Sequence, residues 1–362
     1  MSAEYMAKLF LAGYFGAGNL GDDAILQGFA RGLDGLDFQF RALAQSPERM
    51  MRHLGIVGVP KADFNAVKMA ISECDALVFP GGSVFQDVTS VRSVAYYSSL
   101  VKEAKKQQKK VLMLGQGIGP LNRFFGKRMA ATAFGSVDVL TVRDPGSVST
   151  LKSLGVGIIP KVTGDCAFLL PKPPMDESSG SFGVAGMTTV GLSVRPWGKD
   201  RNKTVISAFG ELVKLLSQNN YVPVLMPMDQ EEDVAVIDAI AKMHGGKVPD
   251  LRGLNTPTQF MQRVGRMEAV IAMRLHAGIL ASCMGVPPMM VSYDPKVTAF
   301  ANGIGLPAPP PIQGATGDRL FAQFQSFMRD KNVHAATVEK RVTEQTKAAQ
   351  GNIDALRECM GV

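Results

Sequence analysis

Residues 8–32 read KLFLAGYFGAGNLGDDAILQGFARG. An apolar run, Lys8–Gly13, has the length and character of a strand buried on both faces. A glycine-rich turn follows, and Asp22–Gly32 then carries apolar residues at helical spacing. Asp22 and Asp23 open that helix, where its positive end favours carboxylates. A strand, a tight turn and a returning helix form the repeating unit of a parallel α/β sheet.

The same unit recurs outward from this segment. Phe38–Leu43 reads as a second strand, and Ala76–Pro80 as a third that ends on Gly81-Gly82. A helix is expected near Val91–Gln107, then a fourth strand at Val111–Gly115 running into GQGIGP. A helix near Arg128–Gly135, a fifth strand at Val137–Val142 and a helix over Pro145–Leu154 follow. Gly155–Asp165 holds a short last strand. Residues 171–186, PKPPMDESSGSFGVAG, have no apolar period and read as a linker or a long loop beside it.

A second series starts at Thr189–Val194, with later strands at Val222–Met226, near Val248, at Ala269–Ala272 and at Met289–Ser292. Helices are expected near 201–218, 231–244, 257–265 and 277–284, a proline- and glycine-rich loop over 296–317, and closing helices near 318–329 and 335–359. The expected fold is α/β, with two Rossmann-like parallel-sheet domains facing a cleft and C-terminal helices. The domains are placed at 1–175 and at 187–335, with a C-terminal helix at 336–362.

Length supports two domains, because a single core rarely serves more than ~250–300 residues and this chain has 362. No apolar run reaches the ~18 residues a membrane span needs, and the first residues lack a signal-peptide layout. The expectation is a cytoplasmic protein. Cys74, Cys166, Cys283 and Cys359 are far apart and make no CxxC pair, which argues against a disulfide framework or a zinc site. The formal charge of +7 suits an anionic substrate, nucleic acid or an acidic membrane. No nucleic-acid signature accompanies it.

Gly16-Ala17-Gly18-Asn19-Leu20-Gly21 matches the dinucleotide pattern G-x-G-x-x-G. Two features oppose that use. Asp22 and Asp23 stand where a pyrophosphate needs the helix dipole to itself. Arg41 lies in the second strand, where an acidic residue would grip a ribose. The segment reads better as a Gly-Asn turn whose aspartates cap the helix, with Asn19 able to face the cleft. Gly81-Gly82-Ser83 and Gly115-Gln116-Gly117-Ile118-Gly119-Pro120 also follow strands. Each alone is an ordinary tight turn. Three glycine-rich strand ends on one sheet edge favour a binding site.

Basic residues recur at strand ends: Arg143 in TVRDPGS, Arg195 in LSVRPW and Arg274 in MRLHAG. Arginine suits carboxylate and phosphate because its planar fork binds two oxygens at once. The bland readings are a pairing of Arg143 with Asp144 and a buried structural ion pair at Arg274. In Met273–Gly278 a histidine, His276, also breaks the apolar run, and Lys296 follows in Tyr293-Asp294-Pro295-Lys296. One imidazole beside fixed cations suggests an acid–base centre facing an anion. The alternative is a buried structural histidine with a surface lysine. His53, His244 and His334 read as structural or solvated, and Asp165 as a turn cap or a cleft residue.

Taken in order, GYFGAGNLGDDAIL, FPGGSVFQD, GQGIGP, TVRD, VTGD, LSVRPW, MRLHAG and SYDPK resemble the polysaccharide pyruvyl transferase family, in particular its CsaB type. The likeness runs through about residues 8–300. It implies a two-domain, GT-B-like fold and a transferase that moves the enolpyruvyl unit of phosphoenolpyruvate onto a sugar as a pyruvate ketal, releasing phosphate. For the CsaB type the implied acceptor is N-acetylmannosamine in a lipid-linked cell-wall glycan. No metal or dissociable cofactor is implied, and the enzyme could work at the inner face of the membrane.

Under that resemblance His276 is the expected general acid or base. Arg195 and Lys296 are expected to bind carboxylate or phosphate, with Arg143 completing the anion site and Arg274 a lesser contributor. The acceptor is expected against Asn19, Asp22, Gly81, Gly82 and Gln116. Two other readings share the fold: a nucleotide-sugar glycosyltransferase, and a non-catalytic glycan- or partner-binding protein. Fold alone does not separate them.

Overall fold

The structure, a computed structural model, describes residues 6–88, 90–175, 187–198 and 200–362. Most of the expected linker, residues 176–186, lies outside the described residues. The chain divides into two compact units. One comprises the chain through Ala17, Asp22–Leu170 and Gln345–Val362; the other comprises Gly18–Gly21 and Pro171–Glu344.

The first unit is a seven-stranded sheet in the order β3-β2-β1-β4-β5-β6-β7. Its strands are β1 (Ala7–Phe15), β2 (Phe38–Ala44), β3 (Gly58–Pro60), β4 (Ala76–Phe79), β5 (Lys110–Gln116), β6 (Val139–Val142) and β7 (Lys161–Val162). Every pairing is parallel. The helices between them are α1 (Leu20–Gly32), α2 (Pro47–Leu54), α3 (Phe64–Glu73), α4 (Val91–Lys106), α5 (Phe124–Gly135) and α6 (Pro145–Ser153). Phe79, Phe85, Tyr97 and Phe134 meet in the core, with ring centroids of successive pairs 4.9–6.2 Å apart. The strand order reverses between β1 and β4, the point at which an open parallel sheet presents a ligand crevice. Those two strands run into the Gly16–Gly21 turn and into Gly81-Gly82.

The sequence reading passes directly from β2 to β4 and omits α2, β3 and α3. Only Met50 of α2 is buried, and β3 is three residues long, so neither carries an apolar pattern. The end signals of α2 are nevertheless present. Ser46 accepts from Arg49 N–H, Pro47 occupies the first turn, and Gly55 closes the helix at φ 69°.

The second unit has a four-stranded parallel sheet in the order β11-β10-β8-β9. Its strands are β8 (Thr188–Ser193), β9 (Tyr221–Leu225), β10 (Ala269–Ala272) and β11 (Pro288–Met290). Its helices are α7 (Asn202–Gln218), α8 (Val234–Lys242), α9 (Pro257–Val264), α10 (Leu275–Cys283), α11 (Pro295–Gly303) and α12 (Gly317–Arg329). Two expectations are corrected. Near Val248 there is no strand, only a single bridge between Leu225 and Asp250. The expected loop over 296–317 starts with α11, because Asp294 accepts from Lys296 N–H at 3.0 Å and Pro295 pre-sets the first turn.

The last helix, α13 (Lys331–Met360), begins earlier than the expected 335. Its residues from Gln345 onward belong to the first unit. There Asn352 is fully buried, donates to the Gly164 carbonyl at 2.9 Å, and accepts from the hydroxyls of Thr141 and Thr163 at 2.6 and 2.7 Å. A Cβ on Gly164 would stand 2.8 Å from the backbone of Gln345 and Ala349. The glycine and threonines of TVRD and VTGD therefore seat this helix by close approach and buried hydrogen bonds.

Candidate functional site

In the second unit β10 lies between β8 and β11, so parallel pairing puts three strand ends side by side. Arg195 follows β8, Arg274 and His276 follow β10, and Tyr293 and Lys296 follow β11. Arg195 reaches across the end of β10. Its Nη1 donates to the Tyr293 hydroxyl at 2.8 Å, and its guanidinium carbon lies 4.7 Å from the Tyr293 ring centroid. Lys296 Nζ lies 5.9 Å from the same ring. The ring therefore gathers two cations, with Lys296 placed in the first turn of α11. A cation there opposes the helix's own dipole, an arrangement that suits an anion brought from outside.

Arg274 is held differently. Its Nε and Nη2 donate to Asp233 at 3.1 and 2.5 Å, and Nη2 donates to Glu232 at 3.1 Å. Asp233 is fully buried and also accepts from the backbone N–H of Met228 and Asp229. Burial opposes the Arg274 charge, but the Asp233 carboxylate and its hydrogen bonds more than offset this and hold the guanidinium pKa above the ordinary arginine value. Burial raises the Asp233 carboxyl pKa, and the Arg274 charge and hydrogen bonds offset only part of the rise. Arg274 therefore acts as a strut under the turn after β9, with its fork already occupied by protein carboxylates.

That turn holds the glycine segment. Leu20 N–H donates to the Met228 carbonyl at 2.7 Å, and Gln230 N–H to the Gly18 carbonyl at 3.3 Å. Asn19 Nδ2 donates to Asp229 at 3.3 Å, and Asn19 Oδ1 accepts from Gly21 N–H at 3.0 Å. Asn19 thus caps α1, a role the sequence reading gave to the aspartates. Asp23 instead accepts from Gly16 N–H at 2.9 Å. Gly21 lies against His276, such that a Cβ there would be 2.5 Å from the imidazole Nδ1. His276 is half-buried in the first turn of α10. Packing on Gly21 and the Asn19–Asp229 hydrogen bond fix where its ring can sit.

The remaining candidates belong to the first unit. Arg143 is 7% exposed, with Nη1 donating to buried Asp165 at 2.6 Å and Nη2 to Ser83 at 3.1 Å. Asp144 is a distant partner at 3.9 Å. A Cβ on Gly117 would lie 2.6 Å from Arg143 Nη2, so this glycine is needed beside the guanidinium. Gly81 and Gly82 have φ values of 141° and 88°, which side chains resist, and Asp22 Oδ1 is 3.5 Å from where a Cβ on Gly82 would be. Gln116 is 1% exposed, and its amide donates to the Phe79 and Leu114 carbonyls. Its side chain supports the β4–β5 edge rather than facing outward.

Sequence reasoning missed four contributors. Tyr293 stood in a quoted motif without a role. Asp229 and Asp233, four apart in MDQEEDV, had no apolar pattern to mark them. Lys61 sits among three tyrosines, 5.1 Å from the Tyr96 ring centroid and 5.5 Å from those of Tyr14 and Tyr97. Burial lowers the Lys61 pKa, and burial together with the Asp22 charge raises that of Tyr97. Of the other histidines, His244 bonds the Gly210 carbonyl and His334 stacks on Phe327.

Among the described residues no helix is long and apolar enough to cross a membrane, and no group of three or more His, Cys, Asp or Glu is placed to hold a metal ion. Among solved structures, the chain resembles the S. aureus MnaA–UDP structure at TM-score 0.67 and 10% identity, covering 98% of this chain and 97% of that one. It resembles a putative UDP-N-acetylglucosamine 2-epimerase from Listeria monocytogenes at TM-score 0.67 and 13% identity over 98% and 97%. Anabaena HepE in complex with UDP-glucose matches at 0.65 and 12% over 98% and 100%. At these identities the likeness concerns the fold, which is of the GT-B type. Among curated proteins, the amylovoran biosynthesis protein AmsJ of Erwinia amylovora is 22% identical over 259 residues, 66% of this chain. The match spans 61% of AmsJ. The model of one family, polysaccharide pyruvyl transferase, matches residues 19–295, from the Asn19 cap through Arg195 and His276 to the start of α11. The chain belongs to the polysaccharide pyruvyl transferase family.

Proposed function

We propose that the protein transfers the enolpyruvyl unit of phosphoenolpyruvate to a glycan sugar and releases phosphate. The observation that carries this reading is the pair of cations on Tyr293, set across the strand end that bears His276. Phosphoenolpyruvate presents a carboxylate and a phosphate, which match Arg195 and Lys296. Ketal formation joins two acceptor oxygens to C2, breaks the C2–O bond to phosphate, and adds one proton to C3. Two hydroxyl protons leave, one matched by the proton added to C3 and the other carried away on the released phosphate. His276 is assigned the proton traffic, as imidazole both gives and takes protons near neutral pH.

Arg143, already paired with Asp165, is the weaker candidate for the anion. The acceptor is assigned to Asn19, Asp22, Gly81 and Gly82. The finer reading is a CsaB-type enzyme whose acceptor is N-acetylmannosamine of a cell-wall glycan.

The test uses Trp197, the single tryptophan, two residues beyond Arg195. Phosphoenolpyruvate is expected to change its fluorescence and to raise the melting temperature. At ~100 times the dissociation constant the added stability is ~2.7 kcal/mol. Arg195→Ala is expected to weaken donor binding roughly 10- to 150-fold, the loss of a charge-assisted hydrogen bond. If a uridine diphosphate sugar stabilises the protein and phosphoenolpyruvate does not, a glycosyltransferase reading replaces this one.

Gly21→Ala tests the seat of the imidazole. The added methyl must push His276 aside, and a displacement of ~1 Å is expected to lower turnover by about 10²-fold. The protein has four histidines. The His276 imidazole resonance should move in this variant while the His53, His244 and His334 signals stay. Four unmoved signals would show that Gly21 does not set the ring.

A further inference from the structure

Phe124 and Phe125 open α5 and are 70% and 71% exposed, with ring centroids 5.6 Å apart. Single exposed apolar side chains are ordinary, but two adjacent aromatic rings left in water call for a partner. The buried face of α5 is made by Gly126, Ala130, Ala133 and Phe134, so the two rings play no part in the core. Exposed Arg123, Lys127 and Arg128 surround them. No acidic residue stands in the first turn of α5, and between Val88 and Val137 Glu103 is the only acidic residue in the sequence.

The patch is firmly mounted. Buried Asp87 accepts from the backbone N–H of Asn122 and of Arg123, each at 2.7 Å. A Cβ on Gly126 would lie 2.4 Å from Asp87 Oδ2, so the first turn of α5 rests directly on that carboxylate. Val88, the residue after Asp87, is 57% exposed. The rings are therefore held out from the surface by a fixed loop.

We propose that this patch docks the protein on an anionic phospholipid surface, with the Phe124 and Phe125 rings inserted at the headgroup–acyl boundary and Arg123, Lys127 and Arg128 on the headgroup phosphates. Aromatic rings flanked by cations are the composition that favours a bilayer interface. A second copy of the chain is a poorer occupant, since pairing the rings would bring the same three cations together. The inference is independent of the reading of the catalytic centre and needs neither donor nor acceptor for its test.

Full-length protein is sedimented with vesicles of phosphatidylcholine alone and of phosphatidylcholine and phosphatidylglycerol in equal parts. Wild type is expected to partition onto the anionic vesicles, less so as salt rises. Arg123→Gln/Lys127→Gln/Arg128→Gln should reduce partitioning on the order of 100-fold, about fivefold per cation. Phe124→Ser/Phe125→Ser should reduce it on the order of tenfold or more. Lys102→Gln/Lys106→Gln, at the far end of α4, removes exposed charge elsewhere and should bind like wild type. All these positions are exposed, so melting temperatures should agree. The proposal is overturned if wild type ignores anionic vesicles, or if the Lys102/Lys106 variant loses as much binding as the triple variant. It is also overturned if the phenylalanine variant binds like wild type, or if size exclusion shows a wild-type dimer that the phenylalanine variant does not form.

Discussion

His276→Ala is expected to lower turnover at saturating phosphoenolpyruvate by about 10²–10⁴-fold, the usual contribution of one positioned acid–base group. Donor binding should survive, because Arg195 and Lys296 are held by Tyr293 and by α11, not by the imidazole. The predicted signature is a fall in kcat with a donor dissociation constant changed less than about threefold, the pattern of an interaction made in the transition state. Packing must be separated from chemistry, since the ring also fills the space over Gly21. His276→Gln keeps a polar side chain there but has no basic nitrogen. Phosphate release measured in the presence of acceptor should be lost in both variants alike. Turnover within about fivefold of wild type in His276→Gln would sink the acid–base assignment and leave His276 a packing residue.

How far the sequence can be read depends on what each residue does. Strands buried on both faces announce themselves as apolar runs, and the expected limits of β10, Ala269–Ala272, are the observed ones. Helices with one apolar face fall within a few residues of their expected places. Of the elements missed, α2 and β3 bury too little to leave a pattern, whereas α3 buries Val67, Ala70 and Ile71 at helical spacing and is legible. The helix α11 is hidden for another reason: a proline after Asp294 reads as a loop signal unless it is recognised as a capped helix start. Composition counts against the correct element there.

Site residues divide in the same way. Strand ends locate Arg143, Arg195, Arg274 and His276, but the sequence does not say where each fork points. The structure separates arginines that look equivalent in the sequence. Arg274 and Arg143 face buried carboxylates, whereas Arg195 bonds a neutral hydroxyl, lies over its ring, and has only the exposed Glu232 carboxylate nearby, at 3.9 Å. A guanidinium matched by an internal carboxylate has less to offer an external anion than one resting on an aromatic face. The pairing that decides this lies far along the chain, at Asp233 and Asp165, and no local spacing encodes it. Asn19 is a similar case. It reads with the glycine loop of the first domain, yet its amide is engaged by Asp229, 210 residues later.

Asp233→Ala is expected to destabilise the second unit by about 3–5 kcal/mol, the cost of leaving a buried charge without its partner. The carboxylate is fully buried and accepts from Arg274 and from two backbone N–H groups, so its removal orphans several donors at once. Trp197 lies in this unit, and as the only tryptophan its fluorescence follows the unit's unfolding in urea. The midpoint should fall markedly in Asp233→Ala. Arg274→Met alone should also destabilise, since Asp233 then stays buried without its cation and keeps only backbone donors. The double variant should recover much of the loss, because an apolar pair avoids desolvating either charge. Recovery of this kind would establish that Arg274 serves the fold. If Asp233→Ala shifts stability by less than about 1 kcal/mol, the strut is dispensable. Arg274 would then have to be reconsidered as a ligand for the donor.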